Sequence, residues 1–243
     1  MQADAWIEAG LPGPVRALTT TRAGGVSRGA FANLNLGLKG GDEAERVAEN
    51  RRRLSRMLPA EPLWLNQVHG NRVISLDDWH PGIQADGAWT SRPGQVAAVL
   101  SADCLPVVLA DSGGRCVAVV HAGWRGMAAG VLEAGVDALP VGAGDLRAWI
   151  GPGISQPAYE VGPELRGAFV DRDKELAAYF ISGRGDRFHA DLKGLGRQLL
   201  VAAGVSRIFD SGLCTASDSE RFFSYRRDGI TGHMATVAWI AQS

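Results

Sequence analysis

The chain is poor in residues that several large functional classes require. It has three cysteines in 243 residues and no Cys-x-x-Cys pair, which argues against a disulfide framework and suits a reducing, cytoplasmic compartment. It has five histidines and no His-x-His pair. A trinuclear copper cluster with a blue-copper centre needs on the order of ten imidazoles, so one such chain cannot build it. No apolar run approaches the ~18 residues that cross a bilayer. The opening MQADAWIEAGLPG has neither a basic segment nor an apolar core and does not read as a signal peptide. Charge points to no macromolecular partner: 25 basic and 26 acidic residues leave a net charge of −1, with no basic stripe for nucleic acid. The densest basic run, Arg51-Arg52-Arg53, lies on a predicted helix beside Glu45 and Glu49 and reads as a solvated face. No repeat, low-complexity tract or long linker interrupts the sequence, so one domain over residues 1–243 is expected.

What is present is a core-rich chain. Apolar residues make up 46% of it and charged residues 21%, enough to bury a sizeable core. Apolar runs predict strands at 15–21, 63–69, 71–77, 95–103, 105–111, 115–123, 146–152, 206–212 and 235–241. Several are continuously apolar, as strands covered on both faces should be. Helical spacing predicts helices at 42–58, 126–139 and 187–203, and PELRGAF a shorter one opening on Pro163. Hairpin turns such as DSGG (111–114) join neighbouring strands, so alternation is not strict. The expected fold class is α+β (mixed α/β), with packed mixed β-sheets flanked by helices in an α-β-β-α sandwich.

The chemistry sits at strand ends. NQVHG ends on His69, SADCLP carries Asp103 and Cys104, and VVHAGWRG carries His121 with Trp124 and Arg125 behind it. Two imidazoles and a thiolate form a borderline-soft donor set that suits zinc, and three ligands leave the fourth position open. Separations of 35 and 17 residues match no short metal motif. Each residue also has a packing role to set against this: a histidine at a corner, a tryptophan in a core, an arginine capping a carbonyl. Cys116, mid-strand between Arg115 and Val117, reads as a small hydrophobe.

TTRAGGVSRGAFANLNLG, LNQVHG, ADGAWT, SADCLPVVLAD, AVVHAGWRG, IGPGIS…YEVG and FFSYRRDGITG, in order from residue 19 to 232, resemble the YfiH family, also called laccase-domain or polyphenol-oxidase-like proteins. The resemblance implies sheets packed between helices and a zinc ion held by His69, Cys104 and His121. It also implies phosphorolysis of adenosine, inosine, guanosine and methylthioadenosine, with some adenosine deamination. Copper is a possible metal, but not as a multicopper site. The H-x-E…P-C-x-x-C zinc deaminase motif is absent, so any deamination uses another geometry. Relatives are expected to carry Cys where this chain has Ala158 and Arg where it has His233. The second departure leaves two alternatives, a missing anionic contact or a further histidine near the site.

Phosphorolysis needs a phosphate cradle, a nucleoside pocket and help for the leaving purine. Arginine offers an oxyanion paired donors, which makes Arg22, Arg125 and Arg226 (with Arg227) the phosphate candidates. Asp103 or Asp86 is the candidate acid or base, Gln67 an orienting group, and Cys104 and His121 the catalytic pair. Small-molecule nucleosides and phosphate are the expected partners of a monomer or weak homo-oligomer. Two other readings stand beside this one. The first is a hydrolase of cell-wall or amide substrates, with Cys104 as nucleophile and His121 as its base. The second is a non-catalytic partner protein whose metal is structural.

Overall fold

The computed structural model describes residues 6–11 and 13–242. Two sheets lie face to face. The first is antiparallel and four-stranded, made of β1 (Trp6–Glu8), β2 (Val15–Thr20), β5 (Ala97–Ser101) and β13 (Met234–Ile240) in the order β1-β2-β13-β5. The second is mixed and six-stranded. It contains β3 (Val73–Ser75), β4 (Gly87–Thr90), β6 (Leu105–Asp111), β7 (Val117–Ala122), β8 (Leu146–Ile150) and β12 (Arg207–Asp210), ordered β12-β8-β6-β7-β4-β3. A small sheet of β9 (Glu160–Val161), β10 (Phe180–Ser182) and β11 (Phe188–Ala190) lies apart from both. The helices are α1 (Ala44–Ser55), α2 (Trp124–Ala128), α3 (Val131–Asp137), α4 (Pro163–Val170), α5 (Leu192–Ala202) and α6 (Tyr225–Asp228).

Strand periodicity explains the layering. Every residue of β6 and β7 is buried, because neither face meets water. Val108, Ala110, Val117 and Val119 point inward against Ala17, Val99 and Ala238 of the four-stranded sheet. Their alternates Val107, Leu109, Ala118 and Val120 meet Val131, Leu132, Leu195 and Leu199 of α3 and α5. On the opposite outer face, Leu18, Ala98 and Val237 lie under Leu54 of α1. The order is helix, sheet, sheet, helix, as the sequence predicts. Truncating one of the buried leucines here (Leu54, Leu109, Leu132, Leu195 or Leu199) to Ala would cost about 2–5 kcal/mol.

Several predicted elements change. Residues 63–69 form no strand, only isolated bridges from Leu63 to Ala97 and Asn66 to Gln84. The predicted helix 126–139 begins at Trp124 and breaks at Gly130, whose φ of 89° suits glycine alone. The predicted helix 187–203 opens as β11. The helix starts after Asp191, whose side chain accepts the Gly194 N–H at 2.9 Å. The strand GAWT (β4) lies outside the predicted set, because alanine and glycine carry little strand signal.

Candidate active site

The sheet ends meet in one place. The 101–105 corner carries the chain from β5 in one sheet to β6 in the other, with Cys104 at the threshold of β6. Antiparallel pairing of β6 and β4 with β7 brings the starts of both beside the C-terminal end of β7, where His121 lies. His69 lies in the loop before β3. The ligand atoms of His69, Cys104 and His121 fall within 4.8 Å of one another. Cys104 Sγ is 3.9 Å from His69 Nε2, and the two imidazoles meet edge to face at 4.8 Å.

Asp86, fully buried just before β4, organises two of the three. Its Oδ1 accepts the His121 Nδ1–H and the His69 backbone N–H, each at 2.9 Å. Its Oδ2 accepts the N–H groups of Gly70 at 2.8 Å and Val68 at 3.1 Å. These donors hold the His69 backbone at φ 59°, a left-handed conformation unusual for a side chain of that size. With Nδ1 committed to Asp86, His121 has Nε2 left for coordination, the tautomer a carboxylate–histidine–metal arrangement requires.

The electrostatics agree. Burial alone would push the Cys104 thiol up, but the His121 and His69 rings outweigh it and bring the group down to about 6. Burial likewise opposes charge on His121, yet Cys104 and Asp86 raise it to about 9. Burial disfavours charge on Asp86 too, and His121 with the backbone donors holds the carboxyl below its ordinary range. Cys116, mid-strand, is pushed up to about 11 by burial and takes no part.

The residues fit a metal ion. A Cβ on Gly123 would stand 2.9 Å from His69 Cδ2, 3.0 Å from Cys104 Sγ and 3.6 Å from His121 Cε1. Glycine at this corner therefore leaves the donors room to converge, and their two-nitrogen, one-sulfur chemistry suits a borderline-soft cation. Gly126 serves close packing, since its Cβ would lie 2.8 Å from the Gly70 carbonyl oxygen. Among the described residues this is the one group of three or more potential ligands so arranged.

The other sequence candidates are placed as follows. Asp103 is buried beside Cys104 with φ 93°, and its carboxylate accepts the Thr215 hydroxyl and the Arg226 N–H, each at 2.6 Å. Gln67 is clipped to Leu100, donating to its carbonyl at 2.8 Å and accepting its N–H at 2.7 Å. Arg22 is not brought to the site: it donates to the carbonyls of Ala32 and Ser219 and stacks on Phe223. Arg125 stacks on Trp124, and Arg226 stacks on Tyr159 while donating to the Glu160 carbonyl. Tyr159, whose phenol is raised by burial and then by Cys104, also feels Arg226, Asp103 and Arg125. Both arginines thus share a neighbourhood with Cys104.

A cavity of about 890 Å³ opens beside Cys104, His69 and His121. Its walls include Trp64, Trp79, Leu65 and Leu100, and among the described residues Lys39 and Arg51 are its side chains carrying a permanent positive charge. The sequence reading did not mark these as cavity residues, because their meeting depends on tertiary packing and on no local pattern. Arg51 corrects the solvated-face expectation. Arg52 and Arg53 do pair with Glu49, whereas Arg51 turns inward, stacks on Trp64 at 4.2 Å and is lowered by burial to about 10. His233 also lines the cavity, so a further histidine does lie near the site. Burial, then the charges of His121, His69 and Lys39, lower it to about 4, so its ring is neutral. Of the six buried side-chain polar atoms without a hydrogen-bond partner among the described residues, four belong to residues lining this cavity: Trp64 Nε1, Ser101 Oγ, Thr231 Oγ1 and His233 Nδ1.

A family model described as multi-copper polyphenol oxidoreductase laccase matches residues 16–241. The chain is 46% identical to the purine nucleoside phosphorylase PA4543 of Pseudomonas aeruginosa, over 98% of this chain and 99% of that one. It is 45% identical to the purine nucleoside phosphorylase YfiH of Escherichia coli K12, over 94% and 95% of the two chains. The crystal structure of Neisseria meningitidis protein NMB0706 matches with a TM-score of 0.94 and 39% identity, covering 98% of this chain and all of that one. YlmD of Geobacillus stearothermophilus gives a TM-score of 0.90 at 29% identity, covering 100% and 98%. With near-complete coverage in sequence and fold, the chain belongs to the laccase-domain family that includes the YfiH proteins.

Proposed function

We propose that this protein is a zinc-dependent purine nucleoside phosphorylase. Its substrates would be adenosine, inosine, guanosine and methylthioadenosine, cleaved with phosphate to free base and ribose 1-phosphate, with adenosine deamination as a side activity. The observation that carries the reading is the open three-donor cluster of His69, Cys104 and His121 on the wall of a largely apolar, aromatic-lined cavity. Near-full-length relatives named purine nucleoside phosphorylase support it. Apolar walls with a few convergent polar atoms suit a flat base joined to a ribose.

Each residue then has a task. His69, Cys104 and His121 would hold the metal, which when bound supplies Lewis acidity to an oxygen of phosphate, water or substrate. Asp86 fixes the His121 tautomer and the His69 backbone. Trp64 and Trp79 offer aromatic faces to the base. Arg125 and Arg226, flanking Tyr159, are assigned to the attacking phosphate. Asp103 acts as a positioning residue that anchors the Arg226 backbone beside Cys104, and Gln67 braces the cavity wall through Leu100. Arg22, committed to two carbonyls, is left out of the phosphate site.

One observation favours a second reading. The lowered Cys104 thiol against the raised His121 imidazole is the charge pair of a cysteine nucleophile with its base. Turnover of inosine with and without phosphate decides between them. The phosphorylase gives ribose 1-phosphate in step with hypoxanthine only when phosphate is present. Equal base release in phosphate-free buffer would overturn it.

A further inference from the structure

The cavity contains more positive charge than the nucleoside reading uses. Lys39 and Arg51 line it, and among the described residues no aspartate or glutamate does. Both cations stitch the same two segments, 36–39 and 64–67, together. Arg51 donates through Nε and Nη2 to the Leu36 carbonyl, at 3.0 and 2.8 Å, and lies over the Trp64 ring. Lys39 Nζ donates to Asn66 Oδ1 at 2.5 Å and to the Gln67 carbonyl at 3.1 Å. All of these hydrogen-bond acceptors are neutral; the carboxylate that acts on Arg51 is Glu61, which forms no ion pair with it among the described residues. Donors also remain: among the described residues Arg51 hydrogen-bonds through Nε and Nη2 only, and Lys39 has a third N–H. The unpartnered Trp64 Nε1 belongs to the ring on which Arg51 stacks, and the other three unpartnered polar atoms belong to residues of the same cavity.

Size points the same way. At about 890 Å³ the cavity is near the upper end of the roughly 300–1,000 Å³ range of small-molecule pockets. A group larger than a nucleoside fits. A half-buried arginine and an exposed lysine, both bonded to neutral acceptors beside an aromatic face, favour an anion with several acceptor oxygens, because arginine presents its donors as a fork.

We propose that the Lys39–Arg51 end of the cavity is a subsite for a phosphoryl anion, distinct from the cations beside Tyr159. The anion is either inorganic phosphate or the 5′-phosphate of a nucleotide whose base and ribose occupy the rest of the cavity. The choice of probe rests on the nucleoside reading of this cavity; the anion subsite itself does not.

Calorimetry on the metal-loaded protein in phosphate-free buffer tests it without turnover, using inosine, inosine 5′-monophosphate and inorganic phosphate as probes. A substrate-borne anion predicts that inosine 5′-monophosphate binds at least tenfold tighter than inosine. A free anion predicts saturable phosphate binding with no such preference. Under either source, Lys39→Met and Arg51→Lys each weaken anion binding at least fivefold. Arg52→Met, on the solvent face with Glu49, leaves it unchanged. The Lys39 variant removes charge from an exposed stem, so the test stands even if Arg51 substitutions misfold. Wild-type anion affinity in folded Lys39→Met and Arg51→Lys proteins, or no anion binding at all, would overturn the proposal. Phosphate binding that depends on both cations in a protein that neither binds nor cleaves inosine would instead overturn the nucleoside reading and leave the subsite standing.

Discussion

Asp86 does more at this site than its place in the sequence suggests. One carboxylate fixes a ligand's tautomer, a second ligand's left-handed backbone and the turn after it. Asp86→Asn keeps the volume but loses the charge and half the acceptor capacity. It should weaken metal affinity by about 10–100-fold, the usual effect of removing such a partner; competition against a chelator reads it. Cys104 gives a pH signature. In metal-free protein its alkylation should follow a thiolate that forms near pH 6, so reactivity falls as pH drops below about 6 and is level above it. Cys214, also lowered, to about 7, by the hydroxyl and N–H bonds of Ser217 and Ser155 against burial, must first be replaced with alanine. A midpoint near the ordinary thiol value, on the order of 8.5, would show that the imidazoles do not act on the sulfur.

At the scale of elements, the legible part of the site was the part next to apolar runs and their punctuating glycines or prolines. His69, Cys104 and His121 each sit beside an apolar run and a glycine or proline, so the sequence could nominate them. Their convergence depends on the pairing of β6 and β4 with β7, which no local pattern encodes. Lys39 and Trp64 were not legible for the same reason, since tertiary packing brings them in from an irregular segment and from the 63–69 run that forms no strand; His233 stood out only as a departure whose place was left open. Arg51 was misread because a helix face with flanking acids looks solvated until Trp64 is placed over it.

Two element-scale predictions follow from this placement. Gly123→Ala suits the local backbone, φ −70° and ψ 158°, yet its methyl enters the donor cluster. The variant should fold with near-normal stability and hold metal weakly, which thermal melts and metal content together would show. Asp103→Ala cuts the β6 threshold from Thr215 and Arg226. It should cost roughly 2–4 kcal/mol in denaturant unfolding, from two charge-assisted bonds lost in a buried setting.

At the scale of the molecule, the helix–sheet–sheet–helix order was legible because continuous apolar runs require cover on both faces. The small third sheet and α6 were not, since three-residue strands and one-turn helices leave no period to detect. Two cores, one on each face of the six-stranded sheet, hold the strand ends in register without help from a metal. The ligands can therefore be removed singly while the fold survives, unlike those of a small zinc domain. The most direct measurement is bound zinc per chain, alongside inosine phosphorolysis, for His69→Ala, Cys104→Ala and His121→Ala, with Cys116→Ala as the packing control. The account predicts that all three ligand variants stay folded and lose zinc and turnover together, while the control keeps both. A folded Cys104→Ala protein that retains a full equivalent of zinc would contradict it.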